Sequence, residues 1–218
     1  MYELPLFPLN TVLFPGMPLT LHIFEERYKE MIDRCLDTRE PFGVVLIRRG
    51  VEAMGPLAEP HMVGCTAEIA QVEPLADDRL NILAVGRDRF RIVSLNQDKA
   101  YLTGTVEAYP LDAAEPDAWR SVHLLRPWVE EYLHLLSEAG DVEFETSDLP
   151  EDPEALAYLA ATVLQVPNQQ KQDLLSAPAA GDLLQTVRTL YRKELPLLRT
   201  LLREEKKVKS GPGSFSLN

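Results

Sequence analysis

Residues 4–31 read LPLFPLNTVLFPGMPLTLHIFEERYKEM, and the fold follows from how this stretch changes period. Leu4, Leu6, Leu9, Val12, Leu13 and Phe14 are apolar residues of strand type, but Pro5, Pro8 and Pro15 each remove a backbone donor. Such a chain runs along sheet edges or corners, where a ladder hydrogen bond can be spared. Pro15-Gly16 is a turn signal, because proline fixes φ at the second turn position and glycine supplies the positive φ that a type II turn needs at the third. A second strand follows, with Leu19, Leu21 and Ile23 on one face and Thr20, His22 and Phe24 on the other. From Glu25 the period changes. Tyr28, Met31, Ile32, Cys35 and Leu36 fall at helical steps on one stripe, with Glu25 and Glu26 at the positive end of the helix dipole.

The same reasoning extends outward. Residues 42–48 (FGVVLIR) are apolar on both faces, as in a strand buried in the body of a barrel. Residues 49–62 hold Gly50, Gly55, Pro56 and Pro60 and read as a surface loop, with Met54, Leu57 and Met62 as an exposed apolar lip. Residues 63–72 alternate Val63, Cys65, Ala67 and Ile69 against Gly64, Thr66 and Glu68, the pattern of a half-buried strand. Residues 79–85 and 87–95 are expected as two strands joined near Gly86, and residues 101–108 close the set. Six or seven short strands with one inserted helix predict a small closed or nearly closed barrel. If Pro15-Gly16 sets its corner, Gly16→Val is expected to unfold it.

After Pro110 the period is helical to the end. Trp119, Val122, Leu125, Val129, Tyr132, Leu133 and Leu136 share one face, with a kink expected at Pro127. Asp152-Pro153-Glu154 is a helix start, an acidic cap followed by proline at the first position. A short helix is predicted over 168–176 and a long one over 178–208, bent at Pro196, with Leu183, Leu184, Val187, Leu190, Tyr191, Leu195, Leu198, Leu201 and Leu202 on its stripe. The fold class is therefore α+β: a barrel subdomain over 1–112, a helical bundle over 113–209 and a loose tail over 210–218.

Composition narrows the function. The chain has 218 residues, 45% hydrophobic and 26% charged, with a formal net charge of −12. That balance argues against a nucleic-acid surface, whose affinity for phosphate comes from cationic side chains. Residues 138–154 carry eight acids and no base; without the spacing of a calcium loop, this run reads as a solvated acidic loop, the sharper alternative being a site for a cation or a basic partner. Cys35 and Cys65 have no metal or redox spacing and read as buried free thiols. No secretory signal and no membrane-length apolar run is found, so a cytoplasmic protein is expected.

No catalytic motif emerges. A Gly-Lys pair, GxSxG and HExxH are all missing, so neither a Walker phosphate cradle nor a hydrolase site is expected, and neither metal nor cofactor is implied. His22, His61, His123 and His134 are scattered, and His22 near Glu25 reads as a surface histidine. Arg87, Arg89 and Arg91 alternate onto one face, where they either bind an anion or an acidic peptide or pair with acids such as Glu25, Glu26 and Glu68.

Several ordered strings in this chain resemble a known family, the N-terminal domain of the ATP-dependent Lon protease, also found in cereblon and in small stand-alone bacterial proteins. They are Leu4-Pro5-Leu6-Phe7-Pro8-Leu9, Leu13-Phe14-Pro15-Gly16, Pro18-Leu19, and Ile23-Phe24-Glu25-Glu26-Arg27-Tyr28 with Met31. Phe42-Gly43-Val44, Gly64-Cys65-Thr66-Ala67-Glu68-Ile69 and Gly86-Arg87-Asp88-Arg89-Phe90-Arg91-Ile92 continue the likeness. The helical half is similar at Gln172-Asp173-Leu174-Leu175, but has Ala179 and Leu183-Leu184 where the family usually shows an acidic cap and an Arg-Leu pair.

The resemblance implies a PUA-like pseudo-barrel followed by helices. It also implies a non-enzymatic module that recognises unfolded or apolar polypeptide, in association with a protease or another protein. Phe14, His22, Phe24, Arg27, Met54 and Met62 are the candidate binding rim. Pro15, Gly16, Glu25, Tyr28, Gly86, Arg89 and Phe90 are the candidate structural motif. The alternative is nucleic-acid or small-ligand binding by the same barrel.

Overall fold

The computed structural model describes residues 1–52, 55, 57–112, 118–140 and 149–209, the side chains of 118–121 and 205–209 excepted. Its order is β1 (Tyr2–Leu9), β2 (Pro18–Ile23), α1 (Glu26–Thr38), β3 (Phe42–Arg49), β4 (Glu59–Pro60), β5 (Val63–Pro74), β6 (Leu80–Asn96) and β7 (Leu102–Ala108). Helices α2 (Ala118–Ala139), α3 (Pro153–Val163), α4 (Asn168–Leu175) and α5 (Ala180–Lys209) follow. Met54, expected at the apolar lip, lies outside the described residues, as do residues 141–148 of the acidic run and the tail 210–218.

The strands close into a barrel. Pairings run β1-β7-β6-β5-β3, and β3 returns to β1 through a parallel ladder, Leu6 opposite Gly43 and Leu9 opposite Leu46. Strand β1 changes partner at Leu6: residues 2–6 pair with β7, residues 6–9 with β3. Each half is thus paired along one side, which is how Pro5 and Pro8 sit inside a strand of a closed sheet.

Strand β6 departs from the expectation of two strands. It is one strand of 17 residues. Its first half pairs with β2 and its second with β7, while β5 runs along most of it with register shifts. Gly86 carries the chain through the junction instead of breaking it.

Three buried clusters hold the molecule together. Within the barrel, Leu4, Leu6, Val45, Phe90, Ile92, Leu102 and Val106 pack against one another. Helix α1 covers another part, burying Tyr28, Met31, Ile32 and Cys35 against Phe7, Leu13, Ile23, Phe42 and Ile82, with the Phe7 and Tyr28 rings stacked at 4.0 Å. Leu36, expected on that stripe, is exposed, because its position falls about 100° beyond Cys35 around the helix. The third cluster joins Val12, Phe14 and Leu46 to apolar residues of α2, α3, α4 and α5.

Pro127 and Pro196 lie inside α2 and α5, which run on through them. On α5 the stripe keeps Leu183, Leu184, Val187, Tyr191, Leu195 and Leu202 buried, but Leu201 is 61% exposed, against the expectation. It lies one step short of Leu202 and so off the packed face.

Candidate functional site

The turn read from Pro15-Gly16 is present: Gly16 has φ +79°, and the Met17 amide donates to the Phe14 carbonyl at 3.0 Å. The turn is tied to the barrel by two further bonds. The Gly16 amide donates to the Gly86 carbonyl, and the Gly86 amide to the Met17 carbonyl, both at 2.9 Å. A Cβ on residue 86 would come within 2.2 Å of the Phe14 carbonyl oxygen. Glycine is required there by close approach rather than by φ.

This corner forms one wall of a groove of about 430 Å³. Pro15, Gly16, Met17 and Pro18 face Pro150, Asp152, Glu154, Ala155, Tyr158, Leu159 and Thr162 across it. The second wall is the start of α3, where Asp152 caps the helix by accepting from the Ala155 amide at 2.8 Å and Pro153 occupies the first turn. Most of the lining is apolar. The two carboxylates, Asp152 and Glu154, form no ion pair with a described lysine or arginine, and no described lysine or arginine lines the groove. Burial pushes the Tyr158 hydroxyl well above the usual tyrosine range; Arg89 opposes this, and Glu154 adds to it. Phe14 and Tyr158, with ring centroids 6.4 Å apart, join the two walls.

Phe14 was expected on an exposed rim and is instead fully buried. The helical layer covers it, a contact that strand alternation within residues 4–31 cannot reveal. Of the other described rim candidates, His22, Phe24 and Met62 are exposed, whereas Arg27 is half-buried, its side chain 14% exposed. His22 is exposed, with Nδ1 2.9 Å from Asn81 Oδ1, and its ring stacks on Phe24 at 5.9 Å. Phe24 and Met62 are 44% and 46% exposed. Arg27 pairs with Glu25 at 3.0 Å and lies over the Tyr28 ring. His22, Phe24, Glu25 and Tyr28 share a second hollow of about 300 Å³ with Phe7, Leu21 and Glu52.

The arginine row is not free. Arg87 pairs with Glu68 at 2.7 Å and Arg91 with Glu107 at 3.6 Å. Arg89, between them, is buried: its Nη1 donates to the Leu175 and Ala177 carbonyls at 2.6 and 2.7 Å, and its guanidinium lies 4.7 Å from the centre of the Tyr109 ring. A cation at these carbonyls suits the negative end of α4. Among the described residues, no group of three or more His, Cys, Asp or Glu could hold a metal ion, and no helix is long and apolar enough to cross a membrane. The far wall of the groove, Pro150 to Thr162, was missed as a site; the one signal for it was the Asp152-Pro153 helix start.

A closed barrel roofed by helices, with a recessed apolar groove where the two meet, defines a barrel-and-helix scaffold built around an internal junction. Residues 3–193 match the model of the ATP-dependent protease La (LON) substrate-binding domain, and the chain belongs to that family. It is 26% identical over 201 residues to the Lon protease of Anaeromyxobacter dehalogenans, a match covering 90% of this chain and 24% of that protein. It is 33% identical over 133 residues to the LON peptidase N-terminal domain and RING finger protein C14F5.10c of Schizosaccharomyces pombe, covering 52% of this chain and 27% of that protein. The chain thus spans about a quarter of these relatives' length. A crystal structure of a Lon N-terminal domain protein from Xanthomonas campestris superposes with a TM-score of 0.65 at 26% identity, over 86% of this chain and 97% of that one. The N-terminal domain of the Mycobacterium avium complex Lon protease shares the fold, with a TM-score of 0.65 at 19% identity.

Proposed function

We propose that this protein is a non-enzymatic polypeptide-binding module whose docking place is the groove between the Pro15-Gly16 corner and α3. The observation that carries the reading is the groove itself: about 430 Å³ of mostly apolar, recessed surface in a chain of the Lon substrate-binding family. A cavity of that size takes one or two large apolar side chains of an unfolded segment. Met17 adds an adaptable thioether to its wall, a side chain that accepts varied shapes. The exposed ring of Phe24, stacked on His22, offers further apolar surface. A protease or another protein acting on the same clients is the expected partner, in the cytoplasm.

The test uses the full chain and a fluorescent peptide with an apolar core. Saturable binding, together with suppressed aggregation of a denatured client, is the expected result. Ala155 is exposed and lines the groove, so Ala155→Trp fills the space without touching the core. That variant is expected to lose peptide binding while keeping its unfolding midpoint. Unchanged binding in Ala155→Trp would overturn the assignment of the groove.

A further inference from the structure

We infer that the groove selects apolar segments flanked by lysine or arginine over the same segments flanked by acids. This rests on the groove being the docking place, and adds a charge rule to it. The lining is chemically one-sided. Among the described residues, its only charged side chains are Asp152 and Glu154, and no described lysine or arginine pairs with either. Both residues are exposed at the start of α3, so an incoming cation meets them without giving up its own hydration completely.

The apolar part and the charged part are contiguous. Ala155, Tyr158, Leu159 and Thr162 continue along α3 from the two acids, and Met17 and Pro18 face them. An apolar side chain seated between Met17 and Leu159 therefore places its chain neighbours within reach of the carboxylates. A flanking base gains attraction there, and a flanking acid meets repulsion. Asp152 and Glu154 are the last two acids of the run over 138–154, which holds eight acids and no base. The sequence alone suggests a solvated loop for that run; the fold brings its end to the lip of an apolar recess. The net charge of −12 favours approach of the same class of segment.

The experiment measures binding of three peptides with one shared apolar core and flanks of lysine, glutamine or glutamate, at low and at high salt. At low salt the lysine-flanked peptide is expected to bind roughly fivefold more tightly than the glutamate-flanked one, the scale of a few exposed charge contacts, and high salt should compress the difference. In a variant combining Asp152→Asn and Glu154→Gln the order of the three peptides should collapse. Asparagine keeps the helix cap, so the variant folds. Equal affinity for all three peptides on the unmodified protein, or a preference that survives in the double variant, would overturn the charge rule and leave the groove standing. Failure of all three peptides to bind would overturn the groove reading, and the charge rule with it.

Discussion

Gly16 and Gly86 are joined backbone to backbone, the amide of the first donating to the carbonyl of the second at 2.9 Å. They are glycines for different reasons. Gly16 has positive φ and open space where a side chain would be, whereas a side chain at residue 86 would strike the Phe14 carbonyl.

The two positions therefore respond differently to alanine. Gly16→Ala meets only backbone strain, of order 1–2 kcal/mol. Gly86→Ala must push the turn away from the barrel, and is expected to cost at least as much, about 1–3 kcal/mol from overpacking, along with a loosened corner. Gly16→Val is the harsher change, since a β-branched residue at φ +79° is strained by its own backbone even where a Cβ meets nothing within 4 Å. Urea unfolding of the variants measures the difference, and a Gly16 variant much less stable than its Gly86 counterpart would contradict it.

Arg89 fastens the helical layer to the barrel. Replacing it with Met keeps much of the apolar stem but strips the Leu175 and Ala177 carbonyls of their donor. A loss of about 1.5–3 kcal/mol is expected, the range for hydrogen bonds to a charged group. Amide exchange should rise in α4 more than in α1, since α1 packs on another part of the barrel.

Burial pushes the Cys35 thiol up to about 11 and the Cys65 thiol up to about 12, from an ordinary value of 9.0. Both thiols are free. Each is neutral at pH 8, so neither should react with a thiol reagent until the protein unfolds. The folded state favours the protonated form, so this contribution to stability is complete below pH 9 and is lost as pH rises through about 11 and about 12. Each thiol lowers stability by about 1.4 kcal/mol per pH unit across its window. Replacing both cysteines with alanine and comparing the alkaline arm of the stability curve checks the sign.

Asp152 has two separable roles. Asp152→Ala removes the acceptor for the Ala155 amide and should cost about 1 kcal/mol. Asp152→Asn should cost only a few tenths of that. Thermal unfolding of the two variants separates the cap from the charge.

How far the sequence disclosed this molecule follows from the range of each signal. Local signals were read correctly: Pro15-Gly16 announces its turn, Tyr28 to Cys35 announce the stripe of α1, and Asp152-Pro153 announces α3. Signals that depend on a second layer were not. Phe14 has the spacing of a rim residue, and its burial comes from Tyr158, far along the chain. Arg89 alternates with Arg87 and Arg91 like an exposed row, yet the carbonyls it binds belong to a helix whose position no periodicity encodes. Gly86 predicts a break between two strands because glycine usually punctuates a strand; within β6 it admits the Phe14 carbonyl. The groove residues of α3 escaped for the same reason, since a recess between two elements is a property of neither alone.

Strand β1 exchanges β7 for β3 at Leu6, and this has a consequence for how the chain is made. Strand β1 leaves the ribosome before β7 and cannot complete its ladders until residues 102–106 exist, about a hundred positions later. At roughly 5–20 residues per second, Leu4 and Leu6 wait on the order of ten seconds for their partners. Pro5 and Pro8 spare the nascent segment two of the amides by which it could pair with a wrong strand in that interval. Prolines that look like concessions in the finished barrel also guard the unfinished one.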